Sequence, residues 1–322
     1  MVGVAGADFQ QDLLFAFGGG DPQITIAVLD GPVDRTHDCF RGARLAPLDT
    51  PAAARCAEEF ASAQGTHLAS LIFGQPCSSV EGVAPLCRGL IAPIFGDDRP
   101  GCSQTDLAQA IVMALDHGAH ILHISGGLFD GRRQPTAELS AAVALCNDHN
   151  ALIVAGAGRD GCASLLRRCG AVNLLPVGAI DRNGRLIGGS DASLHEIGIA
   201  VPGARLIGAT LEGGIGERRG ANYSAALIAG IAGLLLGTQT ATGRAHDPGA
   251  AIEAILGSAT PRLAARADEC QRAWIGRANV EAAAARLTGV MFDSAATSPF
   301  GLWHRALTNA QPSDHATFRP RA

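Results

Sequence analysis

The chain contains no lysine: all 25 of its basic residues are arginines, against 30 acidic ones, for a net charge of −5 over 322 residues. A balance of that sign gives no electrostatic grip on a polyanion, which excludes nucleic acid as a partner class. The first 20 residues hold no basic side chain, and Asp8, Gln10, Gln11 and Asp12 interrupt their apolar character. A secretory leader is therefore not expected, and the expected location is the cytoplasm. The most apolar run, residues 225 to 236, is shorter than the roughly 20 residues a membrane span needs, so no membrane contact is expected. Cys-x-x-Cys spacing is absent among the nine cysteines, which are scattered and odd in number. They read as buried thiols of a reducing compartment, with a local Cys162–Cys169 disulfide as the rival reading. His117, His120 and His123 recur every three residues, but "AHILHIS" reads as a strand, where such positions face opposite sides. No metal or other cofactor is expected.

What is present is apolar patterning. "ITIAVL" (24–29), "GLIAPIF" (89–95), "HILHIS" (120–125), "ALIVAG" (151–156) and "NLLPVGAI" (173–180) read as strands, nearly continuous in apolar residues as strands covered on both faces must be. Helical spacing separates them in "THLASLIF", "QTDLAQAIVMALDHG" and "TAELSAAVALCNDHN". Alternating strands and helices predict an α/β fold, three layers with a mostly parallel central sheet flanked by helices. The expected organisation is an N-terminal extension over residues 1–20, one domain over 21–290, and a polar, proline-bearing tail over 291–322.

In such sheets chemistry gathers beyond the carboxyl ends of the strands. One candidate there is "GAGRDG" (156–161), which fits G-x-G-x-x-G, with Asp181 twenty residues beyond Gly161. A dinucleotide's pyrophosphate needs a sustained helix behind those glycines, and "CASLLRRCGA" offers about two turns. A glycine-rich turn leaving a strand is the better reading.

Other segments fit one scheme. "AVLDGPVD" puts Asp30 at the end of the first strand; "QGTHLASLIFGQ" carries His67 at a helix start. "HISGG" ends a strand at Ser125, Gly126 and Gly127; "IVAGAGRDGC" ends another at Arg159; "RRGANYSAALIAG" opens a long apolar helix. Three catalytic-type segments in the order Asp, His, nucleophile are the subtilisin arrangement. From about Gln23 to about Leu287 the chain resembles the subtilisin-like serine proteases. Within them it is most similar to the maturation proteases of cyanobactin biosynthesis, through "VLDGPVD", "GTHLASLIFGQP", "GVAPLCRGLIAPIF" and "GAHILHISGG".

The resemblance implies roles. His67 would take the nucleophile's proton, Asp30 would orient its imidazole, and Ser125–Gly126–Gly127 would offer a strand edge to an extended peptide. It also locates departures. Where the family carries Gly-Thr-Ser, this chain has Gly220-Ala221-Asn222; where the family has its oxyanion-stabilising Asn, it has Arg159; a family Pro is Ala226. Ser224 is the alternative nucleophile, but two residues along a helix is about 200° of rotation, so its hydroxyl should point away. Tyr223 is a poor nucleophile at neutral pH. As a structural residue, Asn222 fits a helix N-cap. The expected function is a catalytically impaired pseudo-protease that binds a peptide, a natural-product precursor or a partner. The alternative is an active subtilisin-like peptidase, or another peptide-modifying enzyme, using Asp30 and His67 with Ser224 or a noncanonical residue.

Overall fold

The computed structural model describes residues 18–55, 60–95, 101–125, 134–158, 161–181, 183–188, 192–194, 197–259 and 278–288. Gly126, Gly127 and Arg159 lie outside them, as do most of the proposed N-terminal extension and all of the tail.

Seven parallel strands make the central sheet: β1 (Thr25–Leu29), β2 (Leu45–Pro47), β3 (Arg88–Ile91), β4 (Ile121–Ile124), β5 (Leu152–Gly156), β6 (Leu174–Ile180) and β7 (Ile199–Pro202). Their order is β2-β3-β1-β4-β5-β6-β7. The five strands read from the sequence are all there, four of them within one residue at each end, while β3 stops at Ile91, four residues before the end of "GLIAPIF". β2 is too short to announce itself, and β7, although it lies in the apolar run "IGIAVP" (197–202), escapes the sequence reading.

Side chains alternate between the faces. Ile26, Val28, Ile121, Val154, Val177 and Val201 pack on one side with helix α1 (Phe60–Phe73) and a long helix, α5 (Ala221–Ala241). Ala27, Leu29, Leu122, Ile124, Ile153 and Ala155 pack on the other with α2 (Gln104–Asp116), α3 (Ala137–Asp148) and α4 (Cys162–Arg168). Two further helices, α6 (Pro248–Gly257) and α7 (Val280–Thr288), lie on the α5 side. This is the three-layer arrangement expected.

Helix starts follow their capping residues. Ser103 accepts from the Asp106 N–H before α2, and Thr136 from the Leu139 N–H before α3, each satisfying a donor the helix leaves unpaired. α5 is longer than the apolar run suggested, because Asn222 and Tyr223 at one end and Thr238 to Thr240 at the other join it. Among the described residues it is the one helix long and apolar enough to cross a membrane, and 83% of its apolar window is buried. It is the core helix of this domain, each fully buried Leu or Ile stabilising it by about 1.5–3 kcal/mol.

The chain then makes a separate antiparallel hairpin, β8 (Leu206–Ala209) with β9 (Ile215–Arg218), before α5 begins. Cys162 and Cys169 stand at opposite ends of α4 and are not joined in a disulfide. The disulfide reading is overturned: a two-turn helix holds the two residues apart.

Candidate functional site

Parallel register fixes the floor of the site. Leu29 pairs with Ile124 across β1 and β4, so the next residues, Asp30 and Ser125, emerge side by side. The Ser125 N–H donates to the Leu29 carbonyl at 3.2 Å. Asp30 is wholly buried; its carboxylate accepts from the Gly31 N–H at 2.6 Å and from Gln64 Nε2 at 2.8 Å. Burial raises its pKa, opposed by Ser125, Gly31 and Gln64. Ser125 Oγ steadies the carboxylate by proximity and makes no well-formed hydrogen bond of its own.

His67 sits on α1, fully buried. Its Nε2–H donates to the Gly216 carbonyl of β9 at 3.2 Å, the Leu206 backbone of β8 also lies against the ring, and Nδ1 makes no well-formed hydrogen bond. The ring lies against Gly208 of β8, where an added Cβ would stand 2.6–2.7 Å from three ring atoms. Tyr223 meets it edge to face, with centroids 5.1 Å apart. Burial pushes the imidazole down to about 4, with Arg218 pushing the same way and the Gly216 and Leu206 backbone opposing. Tyr223 is pushed up to about 12, by burial first and by the Asp30 charge second. The expected hydrogen bond from His67 to Asp30 is not made: the carboxylate is engaged by Gln64, and the imidazole faces the hairpin.

Residue 222 lies where the sequence order put it, at the start of α5 and beside the strand ends. A Cβ at Gly156, the last residue of β5, would collide with Asn222 Oδ1. Asn222 is not the N-cap. That position belongs to Gly220, at φ 131° and without a side-chain cap, and Asn222 is the second helical residue. Ser224 is buried and donates to the Pro202 carbonyl at 3.1 Å, at the end of β7, whereas Asn222 lies against Gly156 of β5. The 200° argument anticipated that direction.

Sequence reasoning missed two participants. His123, inside β4, donates from Nε2 to the Asn222 carbonyl at 3.1 Å and is pushed down to about 4 by burial. A histidine interrupting an otherwise apolar strand was the available signal. Gln64 gave none, since nothing local says that it reaches back to residue 30.

This end of the sheet thus gathers a buried carboxylate, two neutral imidazoles and the amide of Asn222. The solved structure of the prenylagaramide maturation protease PagA is 37% identical, with a TM-score of 0.75, covering 87% of this chain and 98% of that one. The PatG macrocyclase in complex with peptide is 27% identical, with a TM-score of 0.73, covering 87% and 96%. A curated relative, the thermophilic serine proteinase of Bacillus sp. (strain AK1), is 27% identical over 213 residues, 65% of this chain and 51% of its own length. The chain spans about half the length of the curated relatives it matches. The subtilase family model matches residues 21–271, from before the strand that leads into Asp30 to beyond the helix that carries Asn222, and the chain belongs to the subtilase family.

Proposed function

We propose that this subtilase domain is a catalytically impaired peptidase homologue that binds an extended peptide, a natural-product precursor or a maturation partner. One observation carries the reading: the helix-start position beside Gly156 holds an amide, Asn222, while the nearest serine in sequence, Ser224, donates to the Pro202 carbonyl. An amide nitrogen is not a useful nucleophile, and losing the Ser of such a triad costs on the order of 10⁶ in kcat. Arg159, by resemblance at the oxyanion position, would alter the second electrophile-handling element as well.

Peptide binding does not need the missing serine. Ser125–Gly126–Gly127, by its sequence, would offer backbone donors and acceptors to an extended chain, and a peptide complex of the related PatG macrocyclase supports that use of the fold. The alternative, catalysis through Ser224, requires that buried hydroxyl to leave Pro202 and turn about the helix axis.

A fluorophosphonate probe separates the two. The full chain is expected to remain unlabelled, and stoichiometric labelling mapped to Ser224 would overturn the proposal. Isothermal titration with candidate precursor peptides tests the binding half: heat without product is expected, with Gly126→Trp abolishing it. Product formation that depends on His67 would make the chain an enzyme.

A further inference from the structure

Asp30 and His67 keep their places in the family order, yet each is satisfied elsewhere. Gln64, about one turn before His67 on α1, and the Gly31 N–H take the Asp30 carboxylate. The Gly216 carbonyl can only accept, so its contact with His67 Nε2 assigns the proton of the neutral ring to Nε2 and leaves Nδ1 as a lone pair. A lone pair cannot donate to a carboxylate. The hairpin that receives His67 is also held by His37 Nε2, donating to the Gly214 carbonyl at 2.8 Å. Ser70 Oγ, one turn along α1 from His67, accepts from the Ala209 N–H at 2.9 Å. A two-stranded hairpin is marginal alone in water, and these side-chain contacts from outside compensate for that.

We propose that His67 is a structural latch fastening the β8–β9 hairpin beside the strand ends, and that Gln64 has replaced it as the partner of Asp30. The histidine is thereby retained for a reason other than proton transfer. This inference goes beyond peptide binding and stands or falls without it, because its test reads His67 itself.

Two measurements on the full chain decide it. Nitrogen-15 NMR of labelled histidines should show His67 protonated on Nε2, with no far-downfield Nδ1 proton and no change in tautomer in Asp30→Asn. Hydrogen exchange should then compare the hairpin amides in the native chain, His67→Phe and His67→Gln. Phenylalanine keeps a ring but lacks the donor, so exchange should quicken about tenfold, the cost of one buried hydrogen bond. Glutamine, whose Nε2 can take the place of the imidazole Nε2, should restore near-native protection. A far-downfield Nδ1 proton that disappears in Asp30→Asn would overturn the proposal, as would unchanged hairpin protection in His67→Phe. If His67→Phe does not fold, the tautomer in the native chain decides alone.

Discussion

The carboxyl ends of β1, β4 and β5 and the β8–β9 hairpin both border the start of α5, but different forces hold them. Asp30, Ser125 and Gly156 are placed by sheet register, a ladder of backbone bonds indifferent to most side-chain changes. The hairpin is placed by side chains that reach it from α1 and from the loop after β1: His67, Ser70 and His37. The contrast explains how a site can keep its positions and change its pairings. Register still delivers a carboxylate to the end of β1, whereas His67 is free to serve whichever acceptor its rotamer meets.

The largest expected effect comes from rebuilding the two regions separately. Asn222→Ser returns a hydroxyl near the strand ends but leaves His67 on Gly216. Its turnover of a fluorogenic peptide should stay at least about 10²-fold below that of the variant also carrying Arg159→Asn and Gln64→Ala, since an oxyanion donor alone is worth 10²–10³. Equal rates would mean that His67 swings freely to Asp30 and that the hairpin does not hold it.

An intermediate effect tests whether both regions bury neutral imidazole. His123 at the strand ends and His67 at the hairpin are each held near 4, against 6.5 for the free side chain. Below pH 6.5 the unfolded chain therefore binds more protons, so their contribution is complete above about 6.5 and is lost as the pH falls toward 4. Between pH 6.5 and 5 the loss is about 2 kcal/mol per histidine. Asp30 works in the opposite sense, because its raised pKa makes the folded state take up a proton first and so offsets part of the loss. Urea unfolding at pH 7 and pH 5 should show the decline, with His123→Gln and His67→Gln each removing about half of it. Equal stability at both pH values would show that the imidazoles are not held neutral.

The smallest effect belongs to the ion pair on the hairpin. Arg205 binds Glu217 through Nε and Nη2, but its guanidinium is fully exposed and screened by solvent. Arg205→Ala should leave both the melting temperature and the hairpin's hydrogen exchange unchanged. Faster exchange would assign the hairpin's attachment to charge rather than to the imidazoles.

Much of this molecule was legible one segment at a time. Five apolar runs declared five strands, because a strand covered on both faces must be apolar at nearly every position. Asp30 followed from ending the first of them. The 3.6-residue turn alone aimed Ser224 away from the direction of residue 222, and Ser224 bonds to Pro202 while Asn222 lies against Gly156. Local chemistry misled once, at Asn222, where a favoured capping residue sits inside the helix and Gly220 caps instead.

The amino-acid sequence by itself determined the α/β alternation, the order of the Asp, His and nucleophile-position segments, and the absence of serine at residue 222. Each is a property of one residue or one short run. Only the tertiary structure decided which atoms those residues address. His67 meets Gly216 across 149 positions, His123 meets Asn222 across 99, and Gln64 reaches Asp30 across 34. No local periodicity encodes such contacts. They arise when burial strips polar side chains of water and leaves each to take the acceptor or donor that packing has brought within reach.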